Sequence, residues 1–168
     1  VSSHALQLGR VRGLHFDLAV FTNLSQDHLD FHQTMENYAL AKGLLFAQLG
    51  NGYYEKKDQP VAILNRDDDT FDMLATVTAA PILTYGIENE ADMMAKNIRL
   101  HEKGSQFTLA IGMEEIKVNL NMAGTFSIYN ALAAASATYT LGIPLEEIGK
   151  SLENIEGVSG RFEQVDLD

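Results

Sequence analysis

The sequence has no cysteine, few cations and no long apolar run. Without cysteine the chain forms neither disulfides nor thiolate zinc sites, which suits the cytoplasm. Its 12 lysines and arginines face 23 aspartates and glutamates, and the net charge of −11 argues against nonspecific binding of nucleic acid. No apolar run approaches the roughly 20 residues that span a membrane. We therefore expect neither a nucleic-acid nor a membrane partner.

A phosphate-binding loop and a secretory signal are missing too. The motif GxxxxGK[ST] occurs nowhere in the 168 residues. No basic segment precedes an apolar stretch in the way that a secretory signal requires. The chain also lacks internal repeats, low-complexity tracts and long linkers, and its 46% hydrophobic and 21% charged residues are ordinary for a globular protein. We predict one domain over residues 1–168.

The first half of the sequence alternates between buried strands and helices. Apolar runs predict three strands and helical spacing predicts two helices, at residues 17–23, 61–64 and 82–85 and at residues 34–49 and 70–77. Ser2 or Ser3 is placed to cap a short helix ahead of them. Strands that alternate with helices are typical of a parallel sheet with crossover helices.

The second half has a different texture. Alternating patterns separated by glycine turns predict three antiparallel strands, at residues 94–100, 106–111 and 115–120. An alanine-rich helix over residues 125–141 ends at Gly142, and Pro144 opens the next helix, 145–154, in its first turn. A last strand is predicted at residues 161–165. The predicted fold class is therefore α/β, a mostly parallel sheet with crossover helices and a small antiparallel β insert.

The most informative stretch is residues 21–46, FTNLSQDHLDFHQTMENYALAKGLLF. Its helix places Tyr38, Lys42, Leu45 and Leu49 on one stripe, because they recur at steps of 4, 3 and 4. A lysine on an apolar stripe snorkels to water or loses its charge, since burial of an ammonium is costly. A lysine with a depressed pKa is also a reactive nucleophile. Lys42 is thus either a reactive amine or, more plainly, a snorkelling side chain.

Two histidines and two aspartates crowd the loop before this helix. His28 and His32 stand four residues apart, with Asp27 and Asp30 interleaved. On a helix this spacing puts both imidazoles on one face, which is compatible with zinc. From spacing alone, a polar loop whose aspartates cap the chain is the favoured interpretation, because motif matches carry a high false-positive risk.

Five segments resemble the central domain of the Mur ligases, and they occur in the family's order. They are VSSHALQLGRV, the stretch containing DHLDFH and its following helix, AILNRDD, FSIYNALAAASATYTLGIPLEEI and GVSGRFEQV. The most specific part is DHLDFH with a lysine fourteen residues after His28. The alanine-rich helix alone is less specific. The resemblance covers nearly the whole chain and points to the members that add the third amino acid of the peptidoglycan precursor.

The resemblance implies a role for six residues. His28 matches a Mg²⁺ ligand, and Lys42 matches a catalytic lysine that CO₂ carbamylates and that lies with the metal. Ser2 and Arg10 match contacts to the nucleotide-sugar peptide, and an arginine there suits carboxylate or phosphate recognition. Asn130 matches a residue facing the adenine of ATP, and Arg161 one that reaches its phosphates. His32 is left either as structural or as a residue that supports the metal ligand without contacting the metal itself. No chemistry is assigned to Asn65, Asp67 or Asp68, whose position also suits a turn and cap.

The resemblance also implies what the whole protein does. An ATP-dependent ligase would add the third amino acid to UDP-MurNAc-L-Ala-D-Glu through an acyl phosphate, with Mg²⁺ as cofactor, as a monomer in the bacterial cytoplasm. It would serve peptidoglycan synthesis, and with it cell shape and division. Its amino-terminal domain, phosphate loop and carboxy-terminal domain would lie outside this sequence, so the 168 residues alone are expected to be inactive.

Other functions stay open on the sequence. The incoming amino acid is either L-lysine or meso-diaminopimelate, since the family selects it in the carboxy-terminal domain. A ligase of the folylpolyglutamate synthetase type shares the broad design. A noncatalytic nucleotide-binding fragment would explain the missing phosphate loop. A zinc hydrolase would use His28, His32 and an aspartate, and stoichiometric zinc in the purified protein would distinguish it.

Overall fold

The computed structural model describes residues 1–26, 29–52 and 59–155. The chain divides into two compact units, Val1–Ala91 and Asp92–Asp168. The single domain expected over residues 1–168 stays a prediction. In the described residues no helix is both long enough and apolar enough to cross a membrane.

The described part of the first unit combines three strands with four helices. In chain order these are α1 (Ser3–Gln7), β1 (Leu18–Phe21), α2 (Leu29–His32), α3 (Met35–Gln48), β2 (Val61–Asn65), α4 (Phe71–Val77) and β3 (Ile82–Gly86). Strands β1, β2 and β3 pair in parallel, with Leu18 opposite Val61 and Ala62 opposite Ile82. The predicted parallel sheet with crossover helices is confirmed for this part of the chain. The short helix α2 was not predicted.

The core of the first unit lies between the sheet and helices α3 and α4. Phe21 of β1 meets Phe46 of α3 edge to face, with ring centroids 6.2 Å apart. Apolar residues of β2 and α4 are fully buried beside them, among them Leu64 and Leu74. Tyr85 of β3 is also fully buried, and its hydroxyl donates to the Phe21 carbonyl oxygen at 2.9 Å. Burial of such side chains is the main stabilising term for a parallel sheet.

In the second unit, residues 92–155 are described and contain three strands and two helices. They are β4 (Met93–His101), β5 (Gly104–Ile111), β6 (Glu114–Leu120), α5 (Thr125–Thr140) and α6 (Leu145–Glu153). The strands form an antiparallel meander, and Phe107 lies opposite Val118. Ala131, Ala133 and Ala135 of α5 are buried, as expected of an alanine-rich helix that packs tightly. The predicted antiparallel insert and α/β class are confirmed.

Of the features predicted after α5, the end of the helix at Gly142 is confirmed and the position of Pro144 is different. Gly142 adopts φ +87° after α5, a left-handed conformation that favours glycine, and ends the helix as predicted. Pro144 is the N-cap of α6 rather than part of its first turn. Its fixed φ of −60° precedes the helix and leaves Leu145 as the first helical residue. The strand predicted at 161–165 lies outside the described residues.

Candidate functional site

Two adjacent serines at the start of α1 have different surroundings. Ser2 is the exposed N-cap, and its Oγ accepts a hydrogen bond from the Ala5 amide at 3.2 Å. Ser3 is only 1% exposed. Capping uses one acceptor position of the Ser2 hydroxyl, so its O–H can still be donated to a ligand. Ser2 therefore offers a polar group to solvent, as the sequence predicts for a capping residue.

Lys42 lies partly buried in the middle of α3. Its Nζ is 3.5 Å from the Val1 carbonyl oxygen and 5.7 Å from the centroid of the Tyr38 ring. Burial lowers the pKa of the Lys42 ammonium below its ordinary value. Tyr38 and Leu49, its neighbours on the predicted stripe, are buried. The amine is thus both reachable and easier to deprotonate than a solvated lysine, and a nucleophilic amine needs both properties.

His32 is buried among side chains of α1, α2 and α3. It is 3% exposed, and its Nε2 is hydrogen-bonded to the Ser3 Oγ at 2.8 Å. Its ring stacks on Tyr38, with centroids 5.1 Å apart and planes inclined by 17°. The rings of His32 and the neighbouring Phe31 are nearly perpendicular, with centroids 4.9 Å apart. These surroundings are compatible with both predicted roles of His32, a structural one and a supporting one.

A groove of about 450 Å³ opens beside this histidine. Its lining combines three amide side chains with apolar side chains of α2 and α3, namely Gln7, Gln33, Asn37, Phe31, Leu40 and Leu44. Leu40 is 58% exposed. The volume falls in the range of small-molecule sites, and the mixture of amides and apolar walls is usual for them. The groove therefore gives the first unit a concave surface next to the Ser3–His32 pair.

Arg10 lies beyond the carboxy-terminal end of α1 and is exposed. Its backbone amide donates to the Ala5 carbonyl oxygen at 2.8 Å, and Gly9 turns the chain there with φ +67°. The helix itself packs against α3, which carries Lys42. The structure thus brings Ser2 and Lys42 into one pair of packed helices and places Arg10 past the far end of α1.

Two predicted site residues lie outside the described residues, His28 and Arg161. Their predicted roles stay predictions. Among the residues that the structure does describe, no group of three or more histidine, aspartate or glutamate side chains could hold a metal ion. A metal site in the first unit would therefore need a donor from outside the described ranges or a new oxygen donor on a described side chain.

The polar residues after β2 hold loops in place. Asn65 donates from Nδ2 to the Thr22 carbonyl oxygen at 2.8 Å. The Asp67 carboxylate accepts from the backbone amides of residues 87, 88 and 89 at 2.6, 3.0 and 2.7 Å. Asp68 accepts from the Leu24 amide at 2.9 Å and the Thr70 amide at 2.8 Å. These bonds use the two carboxylates and the amide as partners of turns and loops, which is the role that the sequence suggested for them.

Asn130 belongs to the second unit, where it lies exposed on α5. The face of α5 that contains Ile128, Leu132 and Ser136 is buried, so Asn130 points away from the packed interior. A polar amide on an alanine-rich helix thus has a solvent view, which is the plain alternative to a ligand contact. Its predicted contact with adenine stays a prediction.

Sequence reasoning missed the partnership of Ser3 and His32. The two residues are 29 positions apart, and no local period connects them. The available signal was indirect: a second serine behind a capping serine, and a histidine six residues before an aromatic residue of the Lys42 stripe. Only the packing of α1 against α3 brings them to hydrogen-bonding distance.

The fold is that of a Mur ligase middle domain: residues 1–138 match the model of that family, and the chain belongs to the Mur ligases. Its sequence is 56% identical over 168 residues to the UDP-N-acetylmuramoyl-L-alanyl-D-glutamate–2,6-diaminopimelate ligase of Halalkalibacterium halodurans. It is 51% identical over 166 residues to the enzyme of the same name from Bacillus cereus. The alignments cover 100% and 99% of this chain and 34% of each relative, so the chain spans about a third of their length.

Solved structures agree with this assignment. A structure of a UDP-N-acetylmuramoyl-L-alanyl-D-glutamate–2,6-diaminopimelate ligase superposes with a TM-score of 0.84 at 30% identity, covering 100% of this chain and 34% of the other. MurF from Acinetobacter baumannii superposes with a TM-score of 0.79 at 25% identity, covering 90% and 32%. The resemblance seen in the sequence and the predicted fold are both confirmed.

Proposed function

We propose that this chain is the central part of an ATP-dependent ligase that adds the third amino acid to UDP-MurNAc-L-Ala-D-Glu. The observation that carries the proposal is Lys42, a partly buried lysine with a lowered pKa on the helix that packs against the Ser2 helix. A purely structural middle domain has no need of such an amine. The family membership and the names of the relatives support the same activity.

The incoming amino acid is 2,6-diaminopimelate in this proposal. The sequence alone left it open between L-lysine and meso-diaminopimelate. Relatives from two organisms, 56% and 51% identical to this chain, are both named as 2,6-diaminopimelate ligases. The ligase would transfer the γ-phosphoryl group of ATP to the D-Glu carboxylate, and the amine of the amino acid would then displace phosphate from that acyl phosphate.

Lys42 would act as a carbamate. Its neutral amine would attack the carbon of CO₂, so that an N–C bond forms while one C=O π pair moves onto oxygen. The nitrogen of this adduct would then release one proton to solvent, which leaves the carbamate anion. The lowered pKa favours this step, because only the neutral amine has a lone pair to donate. The product replaces a cation with an anion that carries two hard oxygens, which is the donor type that Mg²⁺ prefers.

The donor set fits Mg²⁺ only with these additions. The described residues contain no ready cluster of metal ligands, so the oxygens on Lys42 and the imidazole of His28 would hold the ion. When bound, Mg²⁺ would neutralise charge on the transferring phosphoryl group. Asn130 and Arg161 would bind the adenine and the phosphates of ATP.

Ser2 and Arg10 would bind the nucleotide-sugar peptide. The Ser2 hydroxyl can donate while it caps α1, and Arg10 is exposed at the other end of that helix. An arginine offers two parallel N–H donors to a carboxylate or phosphate. Binding at both ends of α1 would align the substrate along the helix that packs on Lys42's helix. Such alignment contributes much of the rate in group transfer.

The remaining parts of the proposal concern the cell. A monomeric enzyme in the bacterial cytoplasm would supply peptidoglycan synthesis, and through it cell shape and division, without nucleic-acid or membrane partners. The net charge of −11 and the lack of cysteine are compatible with this setting.

The test uses the full-length gene product and changes Lys42 alone. Lys42→Ala should abolish most ATP-dependent incorporation of 2,6-diaminopimelate into UDP-MurNAc-L-Ala-D-Glu, and added short carboxylates should restore part of it by occupying the space of the lost carbamate. Lys42→Arg should stay inactive, because a guanidinium remains charged and is not carbamylated. Product is followed by chromatography of the UDP-linked peptide, with L-lysine as the competing substrate.

Two results would contradict the proposal. Wild-type activity in Lys42→Arg would exclude the carbamate. Efficient incorporation of L-lysine in place of 2,6-diaminopimelate would exclude the assigned amino acid while leaving the ligase reaction intact. Lys150→Ala is the matched control, since this exposed lysine of α6 pairs with Glu146 at 2.8 Å and should be dispensable for turnover.

A further inference from the structure

The hydrogen bond between Ser3 and His32 joins two side chains that are almost completely buried. Ser3 is 1% exposed and His32 is 3% exposed, and the Oγ–Nε2 distance is 2.8 Å. Buried polar side chains depend on such partners, because an unmade hydrogen bond in the interior is costly. The bond also crosses from α1 to the end of α2, 29 residues along the chain.

Helix α1 depends on contacts with the rest of the protein for its stability. It has five residues, far fewer than the 12 to 15 or so that an isolated helix needs to persist in water. Its position is therefore set by tertiary contacts rather than by its own hydrogen bonds. Ser3 lies in its first turn, directly after Ser2, so whatever holds Ser3 also fixes where the Ser2 hydroxyl lies.

A continuous series of contacts leads from His32 to Lys42. The His32 ring stacks on Tyr38 at 5.1 Å, and the Lys42 Nζ lies 5.7 Å from the centroid of the same Tyr38 ring. Tyr38 is one helical turn before Lys42, so their side chains share a face of α3. His32 thus contacts Ser3 of α1 on one side and Tyr38, the neighbour of the Lys42 amine, on the other.

The backbone around His32 is fixed as well. Its carbonyl oxygen accepts from the Asn37 Nδ2 at 3.0 Å and from the Thr34 amide at 2.8 Å. The next residue, Gln33, has φ +66°, a left-handed conformation that a residue with a side chain adopts only when its surroundings enforce it. These bonds hold the imidazole in one place relative to the start of α3.

We propose that His32 is a positioning residue of the ligase: through Ser3 and Tyr38 it sets the placement of the Ser2 hydroxyl relative to Lys42. This inference rests on the proposed function, in which Ser2 binds the nucleotide-sugar peptide and Lys42 serves the reaction. His32 itself is only 3% exposed, so in this proposal it acts through Ser3 and Tyr38 rather than on a substrate directly. Its loss should therefore weaken the use of the UDP-linked substrate more than the use of ATP.

The test compares two small changes in the full-length ligase. His32→Phe keeps a ring against Tyr38 and removes Nε2, and Ser3→Ala removes only the hydroxyl. Each should raise KM for UDP-MurNAc-L-Ala-D-Glu about tenfold, the effect of one lost buried hydrogen bond, and leave KM for ATP within about twofold. The double variant should have about the same KM for the UDP-linked substrate as the single variant with the higher KM, since both substitutions remove the same bond. His32→Gln, whose amide can reach Ser3, should restore part of the affinity.

Hydrogen exchange provides a readout that does not depend on activity. The Leu6 and Leu8 amides of α1 donate to the carbonyl oxygens of Ser2 and His4. Their exchange, measured by mass spectrometry on the full-length protein, should be faster in both single variants, because α1 loses its hold. Ser105→Ala is the control, since this serine is equally buried and donates to the Met122 carbonyl oxygen at 3.0 Å in the second unit.

Each outcome supports or overturns the proposal. Wild-type KM values for the UDP-linked substrate in both folded variants would overturn it, even if exchange were faster, because the bond would then be structural only. Equal increases of KM for both substrates would overturn it too. If the wild-type protein made no tripeptide, the proposed function would fail, and unchanged exchange of α1 would separately refute the hold on that helix.

Discussion

Replacement of Lys42 by methionine should remove function and leave the fold almost as stable as before. Methionine has a helix propensity close to that of lysine, and its thioether chain can cover the same apolar surface as the lysine stem. Among the described residues, the ammonium makes a long contact of 3.5 Å to the Val1 carbonyl oxygen and a cation–π contact at 5.7 Å from the centroid of the Tyr38 ring. Lys42→Met therefore separates the chemical role of the amine from its packing.

The expected change in the free energy of unfolding follows from two opposing effects. Loss of a cation–π contact at a partly exposed site costs about 0.5–1 kcal/mol. Removal of a partly desolvated charge offsets part of this cost, because burial disfavours the charged form and lowers the pKa of Lys42. The net change should lie within about 1 kcal/mol of zero at neutral pH. Urea unfolding followed by circular dichroism measures it, with Phe46→Ala as a destabilising control expected at about 3–5 kcal/mol.

The pH dependence gives the sign of the charge effect. Because the folded-state pKa of Lys42 is below its unfolded value of about 10.4, the unfolded chain binds more protons between the two values. The stability of the wild type should therefore rise relative to Lys42→Met as the pH increases from the folded-state pKa to the unfolded-state pKa. Below the folded-state pKa, the destabilisation caused by the partly buried ammonium is fully present. A wild type that loses stability relative to the variant between these two pKa values, or a loss above about 2 kcal/mol in Lys42→Met at neutral pH, would refute the reasoning.

Two further predictions concern glycines and loop carboxylates, each with a matched control. Gly50→Ala should destabilise the chain by about 1–3 kcal/mol more than Gly13→Ala in urea unfolding: both residues have positive φ, but a Cβ on Gly50 would lie 2.8 Å from the Ala80 backbone nitrogen whereas one on Gly13 meets nothing within 4 Å. Equal losses would show that φ alone matters. Asp67→Ala should cost about 1–3 kcal/mol, since the carboxylate accepts three backbone amides, whereas exposed Asp69→Ala should stay within about 0.5 kcal/mol. Similar midpoints for both aspartate variants would contradict this role.

Local spacing predicted much of the candidate site. The stripe of Tyr38, Lys42, Leu45 and Leu49 follows from the helical period. The structure buries Tyr38 and Leu49 and leaves Lys42 and Leu45 partly buried. A capping role for Ser2 or Ser3 follows from the residue type ahead of a helix, and in the structure Ser2 is the cap. Both features depend on residues within a few positions of one another, so a single sequence contains them.

Other parts of the site depend on which segments the fold brings together. The Asp67 carboxylate looked like a turn residue, yet its partners are amides 20 to 22 positions away, after the next strand. The hydroxyl of Tyr85 reaches the end of β1, 64 positions back. A short-range sequence pattern cannot predict contacts between residues so far apart in the chain, because the pairing of parallel strands and the packing of crossover helices determine them.

The sequence by itself determined the order of strands and helices, the family and the one lysine that stands on an apolar face. Periodicity and residue type suffice for these, since each is expressed over a few neighbouring positions. Only the tertiary structure decided that His32 faces Ser3 and Tyr38 and that the Ser2 helix packs on the helix of Lys42. A five-residue helix has too few internal hydrogen bonds to fix its own place, so its position, and with it the geometry of the site, comes from contacts between distant segments.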